Sequence, residues 1–188
     1  MKALVSNGNN DLKLLDLPEP ACGPDDLIIK TQQIGVCGTD LEIIHNKMDP
    51  EYIRYPATIG HEWTGKVIEI GSNVKGFDIG QRVVVEGLIP CQKCHECAIG
   101  ATNRCLTYDE IGFTRPGGGS EKVLIPARMA HKINENVTVE SAQLAEPTCV
   151  VMNAYTKADL APDRKILIIG DGTIGLIAAT LAKTRRIP

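Results

Sequence analysis

Apolar positions along the chain fall into two regimes. Short runs rich in Val and Ile, namely Leu27 to Lys30, Lys66 to Ile70, Arg82 to Val85 and Lys122 to Ile125, are separated by Gly, Pro, Asn and Asp. That is the composition of strands joined by turns. Gly71-Ser-Asn and Phe77-Asp-Ile-Gly80 carry turn chemistry, and Arg115-Pro-Gly-Gly-Gly119 is expected to be a flexible loop entering another strand. From about Thr138 the interval changes. Val139, Ala142 and Leu144, then Pro147 to Ala158, recur at helical spacing, with Pro147 suited to a first turn. Lys165-Ile-Leu-Ile-Ile169 is a continuous apolar run of the kind a parallel strand buries on both faces, and Thr173 to Thr184 reads as a helix behind it. The pattern predicts a mainly β region followed by the opening βα unit of a parallel sheet. The boundary is expected near residue 160, where Asp, Pro and charge cluster, giving domains 1–160 and 161–188.

Composition narrows the chemistry. With 188 residues, 43% of them hydrophobic, the chain can bury a core, and a formal charge of -3 with no basic face argues against nucleic acid as a partner. No stretch approaches the ~18 apolar residues of a membrane span, and the first residues lack a signal-peptide run, so a cytoplasmic, membrane-free protein is expected. Seven cysteines, an odd number, fit metal–thiolate chemistry better than a closed disulfide framework.

Cys91, Cys94, Cys97 and Cys105 follow C-x2-C-x2-C-x7-C. Two-residue gaps let several thiolates converge from one loop on a tetrahedral ion, and four sulfurs leave zinc no open position, so this is expected to be a structural site. An iron–sulfur cluster also uses four thiolates, but its run has a shorter last gap and a following Pro that are absent here. Lys93, His95 and Glu96 make the loop too polar for a core, and His95 is expected to be solvated.

Cys37-Gly-Thr39-Asp40 and Gly60-His61-Glu62 offer a thiolate, an imidazole and carboxylates on separate turns. Alone, such a cysteine reads equally as a small core residue and such a histidine as a hydrogen-bonded structural one. Gly170-Asp-Gly172-Thr-Ile-Gly175 is G-x-G-x-x-G between an apolar run and a helical pattern. In that context Gly170, Gly172, Thr173, Ile174 and Gly175 are expected to bring a pyrophosphate against backbone N–H groups at a helix start.

Gly60-His-Glu-x-x-Gly65-x5-Gly71-x-x-Val74 resembles, along its whole length, the zinc signature of the medium-chain alcohol dehydrogenases. The upstream Cys-Gly-Thr-Asp, the later Gly80-Gln-Arg82-Val83 and the four-cysteine lobe are similar to that family in order and spacing. The resemblance implies a GroES-like catalytic domain over 1–160 and the start of a Rossmann domain over 161–188. It implies two zinc ions per chain, one structural and one catalytic, with NAD or NADP as cofactor. The catalytic ion is expected on Cys37 and His61, with Glu62 a nearby or exchanging ligand. Glu146 stands at the position just before the second domain that supplies the remaining ligand. Glu146-Pro147 resembles the polyol, glucose and threonine dehydrogenases, whereas Cys149 falls three residues too late and is expected to pack in a helix.

Asp40 matches the carboxylate that orients the histidine ligand, and Thr39 the hydroxyl that relays the proton. Where many relatives then have His, this chain has Glu42, and His45 is the substitute one turn on. The implied reaction is hydride transfer between an alcohol or polyol and the nicotinamide, in an enzyme that is oligomeric when full length. The acidic residue that grips the ribose falls beyond Pro188, so NAD and NADP are not distinguished. A catalytically idle zinc-binding module is the alternative, separable by zinc stoichiometry; a zinc-free quinone reductase fits poorly beside Cys37, His61 and the lobe. Chains of this family are nearly twice as long, so the 188-residue polypeptide is expected to be inactive alone.

Overall fold

The computed structural model describes residues 1–158 and 165–185. It divides into two units, Met1–Gln143 and Leu144–Pro188. The first is mainly β. Strands β1 (Lys2–Gly8) and β2 (Asp11–Asp16) form a hairpin whose tip, Asn9 and Asn10, has φ of 57° and 62°. Two successive positive-φ residues match the twist that closes a two-residue hairpin, a conformation Asn tolerates better than most side chains. Strand β3 (Asp26–Ile34) runs into helix α1 (Gly38–Ile44), after which β4 (Ala57–Thr58) pairs with β1. Strands β5 (Trp63–Ile70) and β6 (Arg82–Val85) follow. The short β7 (Leu88–Ile89) and β8 (Asp109–Glu110) pair with each other, and helix α2 (His95–Ala98) lies between them in sequence. Strands β9 (Lys122–Pro126) and β10 (Ala130–Lys132) and helix α3 (Val139–Gln143) complete the unit.

The main sheet has the order β10-β6-β5-β3-β9, antiparallel throughout. All four runs of Val and Ile singled out in the sequence lie in it. Alternation does the sorting: Val83 and Val85 of β6, and Val123 and Ile125 of β9, point inward while their neighbours do not. They join Leu27, Ile29, Trp63 and Val67 in one core, where each large aliphatic side chain contributes about 1.5–3 kcal/mol. A second cluster, Ile43, Ile53, Ala57, Ile59 and Phe113, sits under α1 and the turn that leads into β5.

The second unit holds α4 (Ala145–Lys157) and α5 (Thr173–Thr184), joined by Val151, Tyr155, Ala178 and Ala182 and by the Tyr155 hydroxyl, which donates to the Ala178 carbonyl at 2.6 Å. The helical stretch expected after Thr138 is therefore two helices, broken at Leu144, with Pro147 in the first turn of α4, where its missing N–H costs nothing. The division at Gln143/Leu144 precedes the boundary expected near residue 160, because α4 packs on α5.

Two expectations need correction. Residues 165–170 form no strand: Leu167 and Ile169 are 87% and 90% exposed, and a strand needs a ladder partner, which they lack among the described residues. Arg115 to Gly119 is no loose loop. The amides of Gly117, Gly118 and Gly119 donate to the carbonyls of Thr58, Gly60 and Ile59 at 2.9, 2.7 and 2.9 Å. No helix among the described residues is long and apolar enough to cross a membrane.

Candidate metal centres

The pairing of β3 with β5 brings the first donor group together. Ile34 is opposite Trp63 at the end of that ladder, so Cys37, three residues past Ile34, and His61, two before Trp63, emerge at one sheet edge. The Gly35 amide donates to the Glu62 carbonyl at 2.7 Å and ties the two exits. Cys37, His61 and Glu62 then present one donor atom each, all within 4.8 Å of one another. One thiolate, one imidazole and one carboxylate converging at this range suit a tetrahedral divalent ion such as zinc, with room for one further ligand.

The glycines of the signature earn their places sterically. Gly60 has φ +100° and a Cβ there would stand 2.8 Å from the Gly119 nitrogen, while a Cβ on Gly65 would stand 2.4 Å from the Lys30 carbonyl oxygen. The signature thus encodes close backbone approach as well as ligands.

Asp40 organises this edge. Its Oδ2 accepts the Cys37 amide at 2.8 Å, closing the first turn of α1, and its Oδ1 accepts the Gly60 amide at 3.3 Å. The same Oδ1 stands 3.5 Å from His61 Nδ1, an ion-pair contact too long for a good hydrogen bond. Burial works against the Asp40 charge, yet His61 and the two amides hold its pKa below the ordinary carboxylate value. Burial likewise opposes a charged His61, but Asp40 and the Cys37 sulfur outweigh it and raise that pKa to about 9. A histidine whose Nδ1 faces a buried carboxylate offers Nε2 to an ion. Thr39 Oγ lies 3.7 Å from Cys37 Sγ, whereas Glu42 and His45 are exposed on α1 and at its end.

The second group is the cysteine loop. Cys91 and Cys97 have their sulfurs 4.0 Å apart and Cys94 and Cys105 theirs 3.9 Å apart, and all four Sγ atoms lie within 4.8 Å of one another. Sulfurs at the corners of a tetrahedron about a zinc at ~2.3 Å stand about 3.8 Å apart, so the lobe has the dimensions of a four-thiolate site. The Thr107 hydroxyl and the amides of Lys93 and Cys94 hold the Cys91 thiol well below its usual range, while burial and Cys94 push that of Cys97 up. Four thiols this close do not all ionise unless a cation is present. His95 is exposed beside Glu96, outside the cluster.

In the second unit, Gly170 has φ +119° and Gly172 caps the N-terminus of α5. A Cβ on Gly175 would stand 2.1 Å from the Gly170 carbonyl oxygen, so the loop folds back on the first turn of the helix and leaves no side chain between backbone and a bound anion. Glu146 lies in the first turn of α4 and Cys149 is exposed on the same helix.

Residues 23–135 match the alcohol dehydrogenase GroES-like domain. The chain belongs to that family. This GroES-like chain is 36% identical over 185 residues to an L-threonine 3-dehydrogenase of Alteromonas mediterranea, covering 97% of itself and 54% of that protein. Among solved structures, a zinc-binding dehydrogenase of Sinorhizobium meliloti with NADP bound superposes with a TM-score of 0.91 at 30% identity, covering 98% of this chain and 53% of that one. Galactitol-1-phosphate dehydrogenase of Escherichia coli gives 0.90 at 30% identity, covering 98% and 53%. The chain therefore spans about half the length of these relatives.

Sequence patterns missed one contributor to the GroES-like site, the segment from Ile111 to Ser120 that wraps the His61 turn. Its four glycines in eight residues, Gly112 and Gly117 to Gly119, were the available signal.

Proposed function

We propose that this chain is the catalytic-domain part of a zinc-dependent dehydrogenase that moves a hydride between a secondary alcohol or polyol and NAD or NADP. The observation that carries the proposal is the presence of two donor groups of different kinds, one of four sulfurs and one of three mixed donors. A metal ion held by Cys37, His61 and a carboxylate supplies Lewis-acid polarisation of the substrate oxygen. Glu146 is the proposed further carboxylate, and Glu62 the nearby or exchanging one.

The chain's own residues have separable tasks. Asp40 faces His61 Nδ1 and sets the direction in which that nitrogen points, and Thr39, beside the Cys37 sulfur, takes up the hydroxyl proton and passes it outward. Gly170, Gly172, Thr173, Ile174 and Gly175 would hold the cofactor pyrophosphate at the start of α5.

The decisive experiment combines metal counting on the purified chain with turnover by a full-length protein carrying it, offered L-threonine, polyols and sugar alcohols with NAD and NADP. Two ions per chain and turnover of a secondary alcohol are expected. One ion per chain with no turnover would instead mark a zinc-binding module without catalysis.

A further inference from the structure

Phe113 is fully inside the second core cluster, yet one face of its surroundings is not hydrocarbon. Its ring centroid lies 5.1 Å from that of His61, tilted by 50°, within the range of favourable aromatic pairs. Two backbone anchors hold the Phe113 main chain: its amide donates to the Glu110 carbonyl and its carbonyl accepts the Arg54 amide. A few residues on, Gly118 and Gly119 donate to Gly60 and Ile59, the residues that lead into His61. The ring and the ligand are thus mounted on two backbone segments stitched to each other.

From this arrangement we infer that Phe113 is a positioning residue that sets the ring plane of His61. An imidazole on an otherwise fixed backbone retains rotation about two side-chain bonds. The Asp40 contact restrains one edge at 3.5 Å, which defines a direction for Nδ1 but leaves the ring free to pivot about the line joining the two. The Phe113 ring, tilted by 50° with its centroid 5.1 Å away, stands against the imidazole and opposes that pivot. Phe113 is buried in one cluster with Ile43, Ile53, Ala57 and Ile59, and a close-packed interior restrains its own ring. Phe113 touches neither substrate nor ion in this scheme; it acts through the histidine.

The inference rests on the Cys37, His61 and Glu62 metal site proposed above, and the test separates the two. Cobalt(II) is loaded into the wild-type chain and into Phe113→Leu, Phe113→Met and Phe113→Tyr, and each is read by its visible absorption and by competition with a chelator. The four-cysteine lobe is the internal control. Leu and Met keep apolar bulk without a ring, so both are expected to weaken the mixed-donor site about tenfold, at the low end for residues that orient a ligand, and to alter its absorption band. The lobe should keep its ion, and Tyr should restore the wild-type spectrum. Equal affinity and identical spectra in the Leu and Met variants would overturn the role of Phe113. So would loss of both ions together, which is what general loss of packing produces. If the wild-type chain takes up only the lobe ion, the metal-site reading itself fails, an outcome visible before any variant is made.

Discussion

Asp40 and His61 face each other across 3.5 Å, Oδ1 to Nδ1, and both are buried. The pair makes the site sensitive to pH in two opposite ways. His61 has a folded pKa of about 9 against about 6.5 unfolded, so in the metal-free chain its contribution to stability is fully present below about pH 6.5 and is lost as pH rises through 9. Metal requires the neutral ring, so below about pH 9 this group alone makes affinity rise about tenfold per pH unit. Asp40→Asn removes the largest cause of the raised pKa and should flatten that dependence above pH 7. Chelator competition at pH 7 and 8 measures it; identical slopes in wild type and variant would show that Asp40 does not govern the proton.

Cys94→Ser should release one equivalent of metal and leave the other in place. Opening a four-thiolate loop costs the folding free energy the ion supplied, and a loss of about 3 kcal/mol corresponds to roughly 6–12 °C in the melting temperature of a chain this size. Unchanged metal content after dialysis would refute a zinc role for the lobe.

Gly117→Ala places a Cβ 2.5 Å from the carbonyl oxygens of both Gly60 and Ile59, against backbone that has nowhere to move. The expected destabilisation is about 1–3 kcal/mol, accompanied by weaker metal binding at His61. Gly87→Ala, which meets nothing within 4 Å, should change stability by less than about 0.5 kcal/mol. Chemical denaturation of the two variants decides the point, since comparable losses would contradict a steric cause.

The 188-residue polypeptide should bind neither NAD nor NADP at micromolar concentration. Residues 165–170 form no sheet among the described residues, and a dinucleotide needs the crevice between neighbouring parallel strands as well as the glycine loop. Calorimetric titration tests this directly, with saturable micromolar binding the contrary result.

How much of this was legible in the residues depends on the range of the interactions involved. The clustering of the lobe was readable because its four cysteines lie within fifteen positions and their short spacing brings the sulfurs together. The strands of the main sheet were readable because Val83, Val85, Val123 and Ile125 alternate. Cys37 and His61 were not decidable by pattern, since their meeting depends on the register of β3 against β5, and only the resemblance singled them out. Hairpin β1–β2 escaped because β2 buries almost nothing and its Leu12, Leu14 and Leu15 follow no inward alternation. The run Lys165 to Ile169 misled for the converse reason: its side chains call for a strand, but strand formation is a property of a pair.

The stitching of Gly117, Gly118 and Gly119 to Thr58, Ile59 and Gly60 joins positions about sixty residues apart in sequence. Closing so long a loop is entropically uphill until the contacts it permits are made, and such contacts mature slowly. The turn that carries His61 therefore takes its final shape only after more than half of the first unit has been synthesised and folded onto it. A nascent chain emerging as far as Trp63 holds every residue of the Cys37, His61 and Glu62 group and the Gly35 and Asp40 contacts between them, but lacks the glycine segment that wraps the His61 turn. On the proposed two-metal reading, the cysteine lobe, local in sequence, is the first group able to capture an ion, and the mixed-donor edge follows once the glycine segment has locked.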